Sequence, residues 1–456
     1  MNENLTREFA ARLRTWPAEG DELTAVARLL LIDGLAVAAA GASEPGPRLV
    51  GALARERACL PAASVIGGDF ATAPEYAARI NGMAMHVLDF EPMWNPPNHA
   101  LSTILPALLA LAETLEAAGA PPQGARVLRA LLKGIEAQGR LRLASQQIEP
   151  RALTLHPPGV VGPIAAAVAC GDLLDLDEAA LVAAIGVAAS RAAGLMANVG
   201  SMTKALHCGD AAMHGLEAAL LAARGFTADL DALGSPRGFG RAYFGDRFDA
   251  AALLAPLIHP RVLDPGPAWK LFPSQYATHF AITAALDCRA AIEGAATIDR
   301  VTVTAPVMPY IDRPRPSSGL DGKSSYQYCV AAALLDGRVD LATFADKRRF
   351  APDMTAMLEH IELRQDAAIP GRFDAMHVDV ALTLAGGKDI RSRCAAPLGS
   401  WSKPVEPARV EAKASGLLRA VLGEDRAATF WRIVTVPPSA MRVTQLMRAL
   451  RTASAA

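Results

Sequence analysis

The sequence predicts a mostly α-helical protein with a large all-helical domain, a smaller α+β lid domain, and C-terminal helices that return to the helical domain. Three observations support this prediction. The chain has 456 residues, which is too long for one ordinary hydrophobic core. Hydrophobic residues make up 52% of it but aromatic residues only 5%, so Ala, Leu and Val dominate, as in helices that pack closely through small side chains. After about residue 258 the spacing of apolar residues changes from helical to alternating.

The helical domain is predicted for residues 1–265. Apolar residues recur there at helical spacing, and turn clusters such as EPGP and HPPG separate one periodic stretch from the next. A run of this kind is typical of an all-α domain of stacked helices. The predicted helical stretches are 21–41, 72–88, 100–118, 122–145, 159–173, 177–195 and 204–224.

The lid domain is predicted for residues 266–400. IDRVTVTAP (298–306) and FDAMHVDVALTLAGG (373–387) alternate apolar and polar residues and are rich in Val and Thr, which indicates half-buried strands. Helical stretches at 274–293 and 321–336 lie between and before them. Residues 401–456 again show helical spacing, as in PARVEAKASGLLRAVLG. The arrangement predicts a cleft between helical domain and lid, where small-molecule sites often lie.

Composition excludes several classes of protein. The 45 basic and 46 acidic residues give a net charge of -1 without a basic stripe, which argues against a nucleic-acid partner. The six cysteines form no CxxC pair, so the sequence gives no support for a zinc or iron-sulfur site, and no metal is expected. There is no GxGxxG or Walker-type loop.

A membrane protein is not predicted either. The apolar stretch LTAVARLLLIDGLAVAAAGA contains Arg28 and Asp33, which indicates a buried helix rather than a membrane span. The first residues, MNENLTREFAARLR, mix both charge signs and precede no signal-type apolar region. A cytoplasmic protein is therefore the expectation.

Two motifs in the helical domain place histidines next to turns. In HVLDFEPMWNPPNHA, Asp89 and His99 flank a Pro-rich link; they could be capping residues, but an acid, a Trp and a His on one loop also suit ligand binding. In TLHPPG, His156 precedes two prolines that open a helix. It could be an ordinary helix flank or an imidazole that faces an anion at the helix start, and spacing alone decides neither.

The stretch GSMTKALHCG contains an unusual lysine, because the chain has 37 Arg but only eight Lys. Lys204 could extend its ammonium group to water along an apolar helix. Alternatively, it could pair with an anion, which would be useful in catalysis. His207 lies three residues further on, so one helical face could present both side chains.

Two motifs in the lid supply further cations. WKLFPSQYATH contains Lys270 and His279 on either side of a proline, and MPYIDRPRP contains Tyr310 and Arg313. Each could be a solvated loop residue. Taken with the helical-domain motifs, however, they provide several cations and imidazoles and few acids, a balance that suits a di- or tricarboxylate substrate.

At these residues the sequence resembles the MmgE/PrpD family of 2-methylcitrate dehydratases and cis-aconitate decarboxylases. HVLDFEPMW…HA is similar to the family's Asp-Phe-Asp-Asp-Thr…His-Pro-Ser segment, HPPG to its histidine-proline loop, and GSMTKALHCGDAA to its Thr-Lys…His-x-Gly-x-Ala-Ala segment. KLFPSQYATH and YIDRP extend the likeness into the lid. The resemblance implies a helical domain with an α+β lid, a homodimer, and activity without metal or organic cofactor.

The resemblance also implies that the motif residues line one pocket. The residues implied as catalytic are Asp89, His99, Lys204, His279 and Tyr310, and those expected to bind substrate are Met93, His156, His207, Lys270 and Arg313. Met93 departs from the family, which has a threonine there, and so makes the pocket wall larger and more apolar. The substrate is therefore expected to differ from cis-aconitate or 2-methylcitrate.

The leading functional hypothesis is a cofactor-independent lyase, either a dehydratase or a decarboxylase, that acts on a small di- or tricarboxylic acid. Lys204, and less strongly Lys270, would stabilise negative charge that develops at the carbon next to a carboxylate. His99 and His279 would be acid and base, and Tyr310 would donate a hydrogen bond. His156 would bind or orient a substrate carboxylate, and Asp89 would either orient a histidine or position the leaving group. One alternative is an epimerase of a dicarboxylate such as iminodisuccinate. The other is an inactive helical binding protein.

Overall fold

The helical domain is a stack of helices around an Ala- and Leu-rich core. A computed structural model describes residues 4–294 and 297–452 of the chain. Two short antiparallel strands, β1 (Ala63–Ser64) and β2 (Ala71–Thr72), interrupt the helices. The helices are α1 (Leu5–Thr15), α2 (Asp21–Gly41), α3 (Pro45–Glu56), α4 (Pro74–Val87), α5 (Leu101–Ala117), α6 (Gly124–Ala144), α7 (Pro157–Leu173), α8 (Glu178–Ala189), α9 (Met202–Ala222), α10 (Phe239–Phe244) and α11 (Ala250–Leu253).

Helices α4, α7 and α9 cross at very short range because glycines of α9 lie at the crossings. A Cβ atom on Gly209 of α9 would lie 2.2 Å from the carbonyl oxygen of Arg79 in α4, and one on Gly215 would lie 2.5 Å from the carbonyl oxygen of Pro163 in α7. Close approach of this kind needs residues without bulky side chains. It explains why the chain combines high apolar content with few aromatic residues.

The lid contains a mixed four-stranded sheet on which two helices pack. Its strands are β3 (Ile298–Pro306), β4 (Ile361–Asp366), β5 (Val378–Leu384) and β6 (Asp389–Cys394), in the order β4-β3-β5-β6. β3 runs parallel to β4 and antiparallel to β5, and β5 pairs antiparallel with β6. The lid helices are α12 (Tyr276–Ala290), α13 (Gly319–Gly322), α14 (Tyr326–Asp336), α15 (Asp346–Arg349) and α16 (Pro352–Glu359), of which α12 and α14 pack on the sheet.

The C-terminal helices α17 (Pro407–Leu422), α18 (Glu424–Val434) and α19 (Val443–Ala449) return to the helical domain. α17 packs along α2, and apolar residues of all three helices belong to the same core as α1–α9. The predicted fold class is therefore confirmed: the chain is mostly helical, with a smaller α+β part.

Most predicted elements differ from the structure by a few residues at their ends, and three differ more. The helix predicted for 321–336 is divided, because α13 ends at Gly322 and α14 begins only at Tyr326. The helix predicted for 177–195 ends at Ala189, and the chain then turns through Gly194, whose φ of +124° lies in the region that favours glycine. This turn brings the carbonyl of Gly194 to the backbone N–H of His156, which donates to it at 3.1 Å. The strand predicted within 373–387 covers only Val378–Leu384.

Helix α2 is long and apolar enough, by length and composition alone, to cross a membrane. In the structure 72% of its most apolar stretch is buried, and α4, α6 and α17 pack around it. This is the environment of a core helix of a globular domain.

We predict that Gly209→Ala destabilises the protein while Gly416→Ala does not. The new methyl group at position 209 would meet a backbone oxygen that cannot move aside, at a cost of about 1–3 kcal/mol. Gly416 lies on the exposed face of α17, where an added methyl group would have no neighbour within 4 Å, so alanine there should raise stability by up to about 1 kcal/mol. Urea denaturation followed by circular dichroism measures both, and equal midpoints for the two variants would contradict the close-crossing explanation.

Candidate active site

A cleft lies between the helical domain and the lid, and most of the motif residues meet in it. Asp89, Met93, His99, His156 and Lys204 line it from the helical domain. The lid contributes the remaining wall, which consists of Gln275, Tyr276, Tyr310 and Phe373.

The chain turns sharply at Asp89, directly after α4 ends. Asp89 has a φ of +49°, a left-handed conformation that is uncommon for a residue with a side chain, and its N–H donates to the carbonyl of His86 at 2.8 Å. Its side chain is buried between two lysines: Lys204 donates to Oδ2 and Lys270 to Oδ1. The turn therefore fixes a carboxylate at the floor of the cleft.

Lysines also hold the backbone of this turn. The three successive carbonyls of residues 88–90 accept hydrogen bonds from Lys323 (3.3 Å), Lys270 (2.7 Å) and Lys413 (2.7 Å), in that order. Unpaired carbonyls at the end of a helix carry partial negative charge, so ammonium groups bind well there. With Lys204 on the Asp89 carboxylate, half of the eight lysines in the sequence converge on one turn.

The surroundings shift the pKa values of these groups in consistent directions. Burial alone would raise the pKa of Asp89, but Lys204 and Lys270 outweigh burial and hold it well below its usual range. Burial lowers the pKa of Lys270, although Asp89 opposes the change. Burial also lowers the pKa of Lys323, to about 8. The floor of the cleft is therefore ionised and rich in positive charge.

His99 lies beside this turn, between two carboxylates. Its Nε2 is 3.8 Å from Oδ1 of Asp89, and its Nδ1 is 3.2 Å from Oε1 of Glu91. The same Glu91 oxygen lies 2.5 Å from Nδ1 of His86. Burial lowers the pKa of His99 to about 4, whereas the burial of His86 is outweighed by Cys208 and Glu91, which raise its pKa to about 10. The two rings therefore carry different charges.

His86, Glu91 and His99 also offer three ligand atoms within 4.8 Å of one another, a possible metal-binding set. The distance between His86 and Glu91 is that of a hydrogen bond. A metal ion bound at about 2.0 Å to each atom would hold them about 3 Å apart. The cluster as it stands is a hydrogen-bonded ion pair next to a neutral imidazole.

His156 and His207 form a second imidazole pair, which continues the row of rings from His99 and His86, because the ring centroids of His86 and His156 are 5.6 Å apart. His156 lies immediately before α7, and its Nδ1 is 3.2 Å from Nδ1 of His207. Burial, His86 and Lys204 hold the pKa of His156 well below its usual range. His156 lines the cleft, whereas the half-buried His207 stands behind it.

Lys270, His279 and Arg313, all predicted as site residues, lie outside the cleft lining, as does His207. Lys270 is fully buried, and its link to the lining is its hydrogen bond to Asp89. His279 is buried in α12 between Phe272 and Tyr276, and burial with the nearby Lys270 lowers its pKa to about 3. Arg313 pairs with Asp321 in the lid and donates to the carbonyl of Val199 at 2.7 Å.

Arg313 therefore joins the lid to the loop that precedes α9. A Cβ on Gly200, which has a φ of +93°, would lie 2.2 Å from the Arg313 guanidinium, so glycine makes this contact possible. The contact holds the loop just before Lys204.

The structure brings several residues to the site that the sequence patterns do not single out. Gln275 and Tyr276 stand within the KLFPSQYATH motif, whose lysine and histidine were the predicted site residues. Phe373 falls in a segment predicted as strand. Glu91 differs from the family's motif, and Lys413 lies more than 300 residues from the turn it binds. Of these residues, only Lys413 has nothing in its neighbouring sequence that could have predicted its contact.

Comparison with known families agrees with this architecture. The family model of the MmgE/PrpD N-terminal domain matches residues 7–251, and that of the MmgE/PrpD C-terminal domain matches residues 272–436. The chain belongs to the MmgE/PrpD family, as its motifs predicted, and the family together with the relatives described next indicates a lyase.

Curated relatives point to one activity within that family. The chain is 33% identical to a protein named cis-aconitate decarboxylase from Mus musculus over 350 residues, which cover 74% of this chain and 70% of the relative. It is 32% identical to the protein of that name from Homo sapiens, over 80% of this chain and 77% of the relative. A protein of the same name from Aspergillus terreus is 32% identical over 48% of this chain and 45% of its own length.

We predict that Lys413→Met destabilises the protein mainly because it leaves Asp33 unpaired. Lys413 lies 2.9 Å from Oδ1 of Asp33, whose side chain is fully buried in α2. Removing one partner of a buried pair should cost about 3 kcal/mol, whereas replacing both by apolar residues should recover most of that loss. Urea denaturation of Lys413→Met and of Asp33→Leu/Lys413→Met tests this, and a double variant less stable than the single one would refute it.

Proposed function

We propose that the protein is a decarboxylase of a small unsaturated tricarboxylate of the cis-aconitate type. The observation that carries the proposal is the floor of the cleft, where Lys204 and Lys270 flank Asp89 beside His99. Relatives named cis-aconitate decarboxylase support this choice among the lyases, and for cis-aconitate we give them more weight than the expectation, drawn from Met93, of a different acid.

Charge favours a substrate with several carboxylates. The groups around the turn include five cations, namely Lys204, Lys270, Lys323, Lys413 and the imidazolium of His86. They face three carboxylates, Asp89, Glu91 and the Asp33 partner of Lys413, which leaves an excess of two positive charges. Because this excess is buried and poorly screened, it should bind a polyanion strongly. A monocarboxylate would leave part of it uncompensated.

The chemistry requires stabilisation of a carbanion and delivery of one proton. When the bond between a carbon and its carboxylate breaks, carbon dioxide leaves and the electron pair stays on the substrate. In a cis-aconitate-type acid the pair spreads over the adjacent double bond and onto a second carboxylate. A proton then forms a new C–H bond, so the products are a dicarboxylate and carbon dioxide. Since the substrate itself accepts the electron pair, the reaction needs no metal or organic cofactor.

We assign the steps to residues by their positions. Lys204 would stabilise the negative charge that builds up on the substrate carboxylate. His99 would carry the proton, because its Nε2 faces the cleft and the substrate's negative charge would raise its pKa. Tyr310 and His156 would orient the substrate. Burial, with Asp89, raises the pKa of Tyr310, so its hydroxyl remains a hydrogen-bond donor.

The side chain of Met93 restricts which acid can bind in the cleft as substrate. Its side chain is buried in the apolar cluster of the lid and lines the cleft. An apolar wall disfavours a substrate hydroxyl there, and we therefore place dehydration of a hydroxy acid such as 2-methylcitrate behind decarboxylation. Epimerisation of a dicarboxylate is the remaining alternative. A homodimer and a cytoplasmic location stay predictions.

We predict that cis-aconitate, 2-methylcitrate and iminodisuccinate will separate these activities when each is incubated with the protein in deuterated water and followed by NMR. Decarboxylation would yield a product lighter by carbon dioxide with one deuterium from solvent. Dehydration would yield an unsaturated acid, and epimerisation would exchange deuterium into an acid of unchanged formula. Lack of turnover with all three would count against the proposed function.

Lys204→Met should lower kcat/KM for the true substrate about 10²- to 10³-fold, as expected for loss of one charged donor in a buried site. Lys388→Met is the matched control, because Lys388 is an exposed lysine of the lid. Steady-state kinetics and thermal midpoints of both variants are the measurements. Equal activity of the two folded variants would remove Lys204 from the mechanism.

We further predict that binding of an unreactive tricarboxylate draws a proton onto His99. Burial sets the pKa of free His99 at about 4, and a bound polyanion raises it, so the complex holds more protons than the free protein at pH 6–7. Affinity should therefore increase as the pH falls through this range. Calorimetry with propane-1,2,3-tricarboxylate in two buffers of different ionisation enthalpy measures the uptake. If His99→Gln took up the same number of protons, another group would be responsible.

A further inference from the structure

Glu91 is a fully buried carboxylate that no role in the proposed reaction yet uses. It follows the turn at Asp89 by two residues, and its exposed fraction is 0%. One of its oxygens, Oε1, is close to three polar groups: Nδ1 of His86 at 2.5 Å, Nδ1 of His99 at 3.2 Å and Oγ of Ser102 at 3.1 Å. His86 and Ser102 are hydrogen-bonded to this oxygen, whereas the other oxygen, Oε2, is buried without a hydrogen-bond partner. Burial of a carboxylate is costly unless partners compensate for the lost hydration, so this incompletely paired group calls for an explanation.

The two nitrogens of His99 face different surroundings. Nδ1 points to Glu91, away from the cleft, and Nε2 lies 3.8 Å from Asp89 on the side that lines the cleft. In a neutral imidazole one nitrogen carries the hydrogen and the other carries a lone pair, and the hydrogen bond of one nitrogen decides which is which. Nδ1 and Oε1 of Glu91 are 3.2 Å apart but are not aligned for a hydrogen bond in this structure, so the distances to the two carboxylates decide the tautomer. Glu91 is closer to Nδ1 than Asp89 is to Nε2, and a lone pair is disfavoured next to the nearer negative charge, which favours hydrogen on Nδ1.

We propose that Glu91 positions His99 by accepting the hydrogen of Nδ1, which makes Nε2 the nitrogen that takes up and delivers the proton in the cleft. One of the two roles expected for Asp89 from sequence, orientation of a histidine, thus falls to Glu91. Asp89 instead pairs with Lys204 and Lys270. This inference rests on the proposed function in so far as His99 acts on the substrate.

His86 has a part in this arrangement. Its ring stands edge-on to that of His99 at 4.6 Å between centroids. As the imidazolium partner of Glu91, His86 neutralises that carboxylate, which keeps His99 uncharged until a substrate arrives. When His99 then gains a proton, Glu91 lies next to the new charge and stabilises it.

The other charged and titratable groups around His99 do not compete for Nδ1. Asp89 faces Nε2, Lys204 is paired with Asp89, and Nδ1 of His156 faces His207 at 3.2 Å. Ser102 donates its hydroxyl to Glu91, not to the ring.

The test compares Glu91→Gln with Glu91→Asp and with Glu113→Gln. A glutamine at 91 can donate to Nδ1 and so turn the neutral ring to the opposite tautomer; kcat should fall about 10³- to 10⁴-fold with little change in KM. Glu91→Asp retains the carboxylate, so its kcat should be at least about tenfold higher than that of Glu91→Gln. Glu113, a buried glutamate that accepts from Ser64 at 2.7 and 2.8 Å, controls for loss of a buried carboxylate, and its variant should keep wild-type kcat.

A second measurement does not need turnover. NMR of protein with ¹⁵N-labelled histidine distinguishes a protonated from an unprotonated ring nitrogen, and the His99 signals are identified by their loss in His99→Gln. We expect hydrogen on Nδ1 in the wild type at pH 7 and on Nε2 in Glu91→Gln. The expected position of hydrogen on the His99 ring does not depend on which acid is the substrate. Failure of the proposed function and failure of this inference can therefore be told apart.

Three results would overturn the inference. Hydrogen on Nε2 of His99 in the wild type would contradict it directly. Wild-type kcat in folded Glu91→Gln would show that the carboxylate serves only stability. Stoichiometric metal that is present in the wild type and lost in Glu91→Gln would show that the three side chains bind an ion instead.

Discussion

The turn at residues 88–90 is the constraint on which the rest of the structure depends. Asp89 can hold its left-handed conformation and its buried charge only because ammonium groups satisfy both its side chain and the carbonyls around it. Those groups come from every part of the chain: Lys204 from α9, Lys270 and Lys323 from the lid, and Lys413 from α17. The cleft therefore forms only when α9, the lid and α17 are packed together around the turn. Folding of the whole chain and formation of the site are linked in this way.

Burial gives these groups their chemical character. Imidazoles that would titrate near neutrality in water are held uncharged at His99 and His156, while His86 is held charged by its carboxylate and thiol neighbours. Rigid surroundings are needed for such opposite shifts at short range, and the close helix crossings at Gly209 and Gly215 provide them. The small-residue composition and the electrostatics of the site are thus two results of one packing scheme.

The sequence predicted the fold better than the contacts within the site. Helix α2 and strand β3 have the predicted limits, because their periodicity is local, and the motifs around Asp89, His156 and Lys204 do meet in the cleft. The surroundings of His279 and Arg313 depend on tertiary packing, which spacing does not encode. Likewise, no pattern in α17 indicates that Lys413 reaches the carbonyl of Phe90, since a single lysine on a helix usually faces water.

Met93 is attached to the site in a different way from its neighbours. Its backbone N–H and carbonyl pair with Ala268 at 3.1 and 2.7 Å, so main-chain atoms hold its place and its side chain takes no part in the ion pairs of the turn. A change of this side chain would therefore alter the size and polarity of the cleft wall while leaving the ion pairs of the turn in place. The shape of the wall and the charge of the floor are thus set by separate contacts, one made by the main chain and the other by side chains.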